Sequence, residues 1–247
     1  MSVLIIIPAR LASTRLPGKP LAKIAGIPMV VCVARAAKTA AMGMPVIAAA
    51  DMEIVQAAKE YGIAAVLTDP DLPSGSDRVR AAARLVDPDG RADIILNVQG
   101  DMPELLPTHV RAVIEALKND PQADMATCAF QSHSDAERQD ENVVKVVLGE
   151  AEPGKPVPAV DFTRTLAQTE PKSFWHHIGI YAYRRAALER FCALPPSANE
   201  KRAKLEQLRA LDDGMKIVCA VVENDCPGID SPEDLARIRS LREGTAT

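Results

Sequence analysis

Three cations crowd one short stretch near the start of the chain: Arg10, Arg15 and Lys19. They share it with Ser13 and Thr14, and with Pro17-Gly18 and Pro20, which fix the backbone on either side of Lys19. Cations held on a rigid loop suit an anionic ligand of several charges, most simply a nucleoside triphosphate; a solvated basic turn would need no such stiffening. Asp101 follows Gln99-Gly100 after an apolar run. Such a carboxylate either forms a turn or holds a divalent cation. Beside a triphosphate loop the second role gains weight, because Mg²⁺ usually binds through one or two carboxylates plus phosphates. Ser74-Gly75-Ser76 precedes a helical pattern, and its backbone N–H groups suit an anion or a base edge, although capping alone also explains it. Asp230 stands just before Ser231-Pro232-Glu233-Asp234, where Ser231 and Asp234 serve as caps; Asp230 has no capping duty and is open to another role.

The elements that must position these groups alternate. Val3–Ile7 is a short, continuous, β-branched run, the mark of a strand buried on both faces of a parallel sheet. Helix over 29–42, strand over 46–50, helix over 52–61 and strand over 64–67 follow, giving β-α-β-α-β and predicting a doubly wound parallel sheet. Asp93–Val98 repeats the buried-strand pattern. In such sheets ligands bind outside the carboxyl ends of the strands, where the Arg10 loop and Asp101 both fall. Further along, a helix is expected over 107–117, strands over 125–131, 143–148, 159–163 and 173–183, with an exposed polar segment over 132–141. A helix at 184–192, a second over 200–212 capped by Asn199, a strand over 216–222 and a last helix to about Arg242 complete the chain.

The 247 residues suffice for a large core, burying roughly 70–75% of the unfolded surface. Apolar residues make up 47% and charged residues 25%, ordinary for a soluble globular chain. A net charge of −4 gives no footprint for nucleic acid or a membrane surface. No apolar run approaches the ~20 residues of a membrane span, and the start has no signal-peptide pattern. The five cysteines are scattered, without a Cys-x-x-Cys pair, and are expected as buried reduced thiols. A cytoplasmic protein is expected.

Other chemistries find no support. The first strand is not followed by Gly-x-Gly-x-x-Gly, Gly18-Lys19 runs into Pro20 rather than Ser or Thr, and no Gly-x-Ser-x-Gly elbow exists. His176 and His177 point to opposite faces of a strand, with no partner at zinc-ligand spacing.

The stretch Val3–Leu21, with Pro8-Ala9-Arg10-Leu11-Ala12-Ser13-Thr14-Arg15-Leu16-Pro17-Gly18-Lys19-Pro20, resembles the signature of the 3-deoxy-manno-octulosonate (Kdo) cytidylyltransferases, the CMP-Kdo synthetases. Ser74-Gly75-Ser76-Asp77-Arg78, Asn97-Val98-Gln99-Gly100-Asp101, His177-Ile178-Gly179-Ile180-Tyr181, Leu205-Glu206-Gln207-Leu208-Arg209 and Asp230-Ser231-Pro232-Glu233-Asp234-Leu235 resemble further family segments, in order, over nearly the whole chain. Two departures stand out: Met102 follows Asp101 where the family has Glu or Gln, and the family's Tyr-Phe-Ser-Arg-Ala-x-Ile-Pro becomes Val160-Asp161-Phe162-Thr163-Arg164-Thr165-Leu166-Ala167.

The resemblance implies a mostly parallel Rossmann-like sheet of the GT-A-like nucleotidyltransferase type, a single domain over 1–247. A smaller lobe over about 130–185 would serve the sugar site and dimerisation, with strands 143–148 and 157–163 as interface arms of a homodimer. It implies transfer of CMP from CTP to Kdo with release of pyrophosphate, supplying CMP-Kdo for lipopolysaccharide synthesis. Arg10, Arg15 and Lys19 would hold the triphosphate, and Asp101 and Asp230 a Mg²⁺. Ser74, Gly75 and Gln99 would address cytosine and ribose; Arg164, His177, Tyr181, Glu206 and Gln207 would hold the sugar acid. A cytidylyltransferase for another acidic sugar, of the 8-amino-Kdo or sialic type, and a non-catalytic nucleotide-binding regulator are the alternatives.

Overall fold

The structure, a computed structural model, describes residues 1–13, 15–167 and 172–244. Thr14, expected on the basic loop, lies outside the described residues. The chain packs as two compact units, residues 1–110 with 226–247, and residues 111–225. The expected lobe over 130–185 falls inside the second.

In the first unit, strand β1 (Val3–Ala9) leads into the basic loop and a single 3₁₀ turn at Lys19–Leu21. The strands β2 (Lys23–Ile24) and β3 (Ile27–Pro28) pair as a small hairpin. Helix α1 (Met29–Thr39), strand β4 (Pro45–Ala49), helix α2 (Met52–Glu60), strand β5 (Ala64–Leu67), helix α3 (Gly75–Val86) and strand β6 (Ile94–Val98) follow. β1 pairs in parallel with β4 and with β6, and β4 in parallel with β5, so the strand order is β5-β4-β1-β6. Ile5, Ile6 and Ile7 of β1 and Ile94, Ile95 and Leu96 of β6 are fully buried, as continuous apolar runs at the centre of a parallel sheet require.

Helix α4 (Pro107–Asn119) contains the division between the units. The second unit then runs β7 (Met125–Ser132), α5 (Asp135–Gln139), β8 (Lys145–Leu148), β9 (Val157–Thr163), β10 (Phe174–Arg184), α6 (Arg185–Ala193), α7 (Ala198–Ala203), α8 (Leu208–Asp212) and β11 (Ile217–Val222). Its sheet is mixed. β7 pairs antiparallel with β10 and parallel with β11, while β9 pairs antiparallel with both β11 and β8. The register between β10 and β7 shifts between Ile178 and Ala182. There the buried Thr127 hydroxyl lies 3.3 Å from the Ile178 carbonyl and 2.9 Å from that of Ile180, serving backbone groups that the interrupted ladder leaves over.

Two local expectations change. The polar segment over 132–141 contains α5, because the Ser134 hydroxyl accepts from the Glu137 N–H and starts a helical turn. The single helix expected over 200–212 is two. Ser197, not Asn199, caps the first through a reciprocal capping box with Glu200. Lys204, at φ 55°, ends it in a left-handed turn before α8 begins.

Helix α9 (Pro232–Gly244) returns the chain to the first unit. Leu235 and Ile238 pack with Ile229 against Ile24, Met29 and Cys32 in one buried cluster. Arg239 donates to the Lys23 carbonyl, and Arg242 to Glu104 and the Pro103 carbonyl. Residues 226–231 are thereby fixed to the unit built by the chain's first hundred residues.

Candidate active site

The loop after β1 is held at both ends. The Leu11 N–H donates to the Asp51 carboxylate at 2.8 Å, and the Gly18 N–H to the Leu11 carbonyl at 3.2 Å. Gly18 takes φ 69°, a left-handed conformation that glycine adopts without strain, and this turns the chain into Pro20 and aims Lys19 inward.

Lys19 Nζ makes three contacts, to Asp101 Oδ2 at 2.6 Å, Asp230 Oδ1 at 2.9 Å and the Ile229 carbonyl at 3.0 Å. These occupy all three ammonium protons. Burial works against the charge on Lys19, but the two carboxylates outweigh it and raise its pKa above the ordinary value. Arg15 reaches the other oxygen of Asp230 at 3.0 Å. The Ile229 N–H donates to the Asp101 carbonyl at 2.9 Å, so the segments carrying the two acids are joined by backbone as well. Asp230 takes no part in capping α9. That duty falls to Ser231 and Asp234, whose carboxylate accepts the Asp230 and Ser231 N–H groups.

Gly100 precedes Asp101 for a steric reason. A Cβ there would stand 2.9 Å from the Pro8 carbonyl oxygen, so only glycine lets the end of β6 lie this close to β1. Met102, the departure from the family pattern, is buried.

These groups line a cleft of about 390 Å³ in the first unit. Arg10, Arg15, Lys19, Ser74, Gly75, Gln99, Asp101 and Asp230, all singled out from sequence, face it together. The Ser74 hydroxyl is committed to its helix: it caps α3 by accepting from the Asp77 N–H and donates to the Asp77 carboxylate. Gln99 donates its amide to Asn97 at 3.3 Å.

Arg78 also lines the cleft, and sequence reasoning gave it no role. It is 2% exposed and donates to the Thr68 hydroxyl and to the Asp69 and Pro70 carbonyls, fixing the loop from β5 to α3. Burial, then the nearby Arg10, press its pKa below the ordinary value. The only signal was its place within the Ser74–Arg78 segment. Asp51, which anchors the basic loop, likewise had no role assigned from sequence.

The five residues expected at the sugar acid all lie in the second unit. His177 and Tyr181 lie on β10 with ring centres 5.5 Å apart. His177 Nε2 is 2.9 Å from the Thr127 hydroxyl, and burial, with a contribution from His176, drives its pKa down to about 3; the imidazole is therefore neutral. Burial, then the charge of Glu206, push the Tyr181 phenol above its ordinary range. Glu206 and Gln207 sit on the turn between α7 and α8, with Gln207 buried. Arg164, just past β9, spends three donors on main-chain carbonyls: Ala203 at 2.8 Å, Glu141 at 2.8 Å and Lys204 at 3.1 Å.

A cleft lined by four cations and two carboxylates can bind a polyphosphate and orient it, with the charge of the leaving group met by fixed donors. The cytidylyltransferase family model matches residues 4–217. The chain is 53% identical, over 96% of its length and 91% of the relative's, to a 3-deoxy-manno-octulosonate cytidylyltransferase of Parvibaculum lavamentivorans. It is 50% identical to one of Azorhizobium caulinodans, over 97% of this chain and 95% of that one. A solved structure of a CMP:2-keto-3-deoxy-manno-octonic acid synthetase complexed with CTP superposes with a TM-score of 0.89 at 34% identity, covering 99% of this chain and 100% of that one. A nucleotidyl transferase of Methanothermobacter thermautotroptrophicus, 17% identical, shares the α/β fold with a TM-score of 0.60, covering 99% of each chain. The chain belongs to the cytidylyltransferase family and, within it, to the 3-deoxy-manno-octulosonate cytidylyltransferases.

Proposed function

We propose that the chain transfers the cytidylyl group from CTP to the anomeric hydroxyl of Kdo. One P–O bond forms between the sugar oxygen and the α-phosphorus, the bond to the β-phosphate bridge breaks, and pyrophosphate leaves as the hydroxyl proton is lost. The observation that carries the reading is the convergence of Arg10, Arg15, Lys19, Asp101 and Asp230 on one cleft, in a chain about half identical to enzymes of that name.

In this reading Arg10, Arg15 and Lys19 hold the triphosphate and take up charge as the pyrophosphate departs. Ser74, Gly75 and Gln99 bound the nucleoside. Arg164, His177, Tyr181, Glu206 and Gln207 hold the sugar acid; neutral His177 serves there as a hydrogen-bonding and packing group rather than a charge.

The donor set fits a divalent cation. Asp101 and Asp230 aim carboxylate oxygens at one point, now taken by the Lys19 ammonium, and among the described residues no third acidic, histidine or cysteine ligand joins them. Two carboxylates completed by phosphate oxygens and water are the usual Mg²⁺ arrangement. When bound, Mg²⁺ would neutralise phosphate charge and ease deprotonation of the sugar hydroxyl. The parallel order of the first unit supports the doubly wound, GT-A-like description. The exposed Val147 on β8 and Val160 on β9 support these strands as arms of a homodimer. Among the described residues no helix is long and apolar enough to cross a membrane.

Pyrophosphate release with CTP and a panel of Kdo, 8-amino-Kdo and a sialic acid tests the reading. Turnover is expected with Kdo. Preference for another sugar acid moves the acceptor assignment, and inactivity with all three leaves only nucleotide binding. Asp101→Asn is expected to lose turnover by orders of magnitude while its circular dichroism is unchanged; an active variant removes Asp101 from the chemistry.

A further inference from the structure

Lys145 opens β8 and has no exposed surface. Fully buried lysines nearly always have an acidic partner, because a desolvated ammonium is costly. Lys145 forms no ion pair among the described residues. Its Nζ donates to the Asp140 carbonyl at 2.7 Å and the Arg164 carbonyl at 2.9 Å, and lies 5.9 Å from the centre of the Phe174 ring. Burial first, and the guanidinium groups of Arg138 and Arg164 with it, hold its pKa below the ordinary value; Asp140 and Glu137 offset part of that. A methionine of similar length would fill the space without the desolvation cost, so the charge needs an occupation.

That occupation lies in what the two carbonyls belong to. Asp140 follows α5 and Arg164 follows β9, at the end of the β8–β9 pair where Lys145 sits opposite Thr163. Lys145 fixes the backbone of Arg164 through its carbonyl. From that fixed point the Arg164 side chain donates to Glu141, Ala203 and Lys204. Two cations thus staple three segments, 140–141, 164 and 203–204, through five main-chain carbonyls. The last segment runs directly into Glu206 and Gln207.

We infer that Lys145 is a positioning residue for the acceptor: by gripping the Arg164 carbonyl it sets the Arg164 guanidinium and, through it, the Glu206–Gln207 turn. This rests on the reading that Arg164, Glu206 and Gln207 serve the sugar acid.

The experiment is a double-mutant cycle in pyrophosphate release, with Lys145→Met, Arg164→Ala and the pair, each with CTP and Kdo varied in turn. Lys145→Met is expected to raise the Kdo KM about tenfold with the CTP KM unchanged. In the Arg164→Ala background the same change is expected to add little. Lys145→Gln, which keeps an amide donor group without the charge, is expected to fall between and serves if Lys145→Met does not fold. Equal rises in both KM values, no rise in the Kdo KM, or full additivity with Arg164→Ala overturns the inference while leaving the acceptor reading intact. An Arg164→Ala enzyme with an unchanged Kdo KM overturns both.

Discussion

Lys19 Nζ stands 2.6 Å from Asp101 Oδ2 and, with Asp230 and the Ile229 carbonyl, has no proton left to offer a phosphate. The two acids of the cleft are therefore neutralised from within: Lys19 joins them and Arg15 covers the far oxygen of Asp230. A bare divalent cation meets this arrangement with two positive charges already in contact, whereas a triphosphate draws Lys19 and Arg15 toward itself and uncovers the carboxylates. Metal and nucleotide binding are then coupled, and by linkage each strengthens the other equally. Mn²⁺ titrated by electron paramagnetic resonance is expected to bind the protein at least about tenfold more tightly with a non-hydrolysable CTP analogue than without it. Lys19→Met is expected to bind Mn²⁺ alone more tightly than wild type while losing turnover. Equal Mn²⁺ affinity of wild type and variant in the absence of nucleotide would contradict the self-neutralised site.

Gly100 and Gly75 form a matched pair for testing the backbone of the cleft. A Cβ on Gly100 meets the Pro8 carbonyl oxygen at 2.9 Å, while one on Gly75 meets only the Pro8 side chain at an ordinary 3.7 Å. Gly100→Ala must push apart β1 and the end of β6 that carries Asp101. It is expected to cost about 1–3 kcal/mol of stability, with a loss of turnover. Gly75→Ala is expected to fold as wild type in urea denaturation, any effect appearing in the CTP KM alone.

Arg78 is the cation of the cleft with a double duty. Its guanidinium serves the Thr68 hydroxyl and two carbonyls of the loop leading to Ser74. Removing it strands buried acceptors, so Arg78→Met is expected to cost about 2–4 kcal/mol and to raise the CTP KM. Arg78→Lys keeps the charge but not the planar fork. It is expected to recover nucleotide binding more than thermal stability, and recovery of both together would show that charge alone matters.

The legible parts of this chain were those written in local sequence. The unbroken Val3–Ile7 run marks a central parallel strand, and the Pro17-Gly18-Lys19-Pro20 stretch marks a stiff loop; both stand where they were expected. Asp230 was legible by elimination, since its neighbours account for the cap. Arg78, Lys145 and Asp51 were not, because a charged residue in a sequence is ordinarily a surface residue. Their partners are main-chain groups whose positions depend on the tertiary fold. The break between α7 and α8 was hidden for a related reason. It depends on Lys204 adopting a positive φ, and the Arg164 guanidinium that grips the Ala203 and Lys204 carbonyls comes from forty residues upstream.

His177 offers a test of the second unit that needs no substrate. Its imidazole is 8% exposed, has the Thr127 hydroxyl at 2.9 Å, and is held neutral with a pKa of about 3. In the unfolded chain the same ring titrates near ~6.5. Because the folded-state value is depressed, the unfolded chain binds the extra proton between these limits. The stabilisation is therefore complete above about 6.5 and is lost as the pH falls toward 3, by at most about 1.4 kcal/mol per unit. His177→Gln keeps an amide donor for Thr127 and removes the titration. Urea denaturation at a series of pH values is expected to show a flatter fall in stability for the variant than for wild type between about pH 6 and pH 4, carboxylate contributions being common to both. Parallel curves would mean that the ring takes its proton in the folded state, and that His177 meets solvent or an acid instead of the Thr127 hydroxyl at the β10 irregularity.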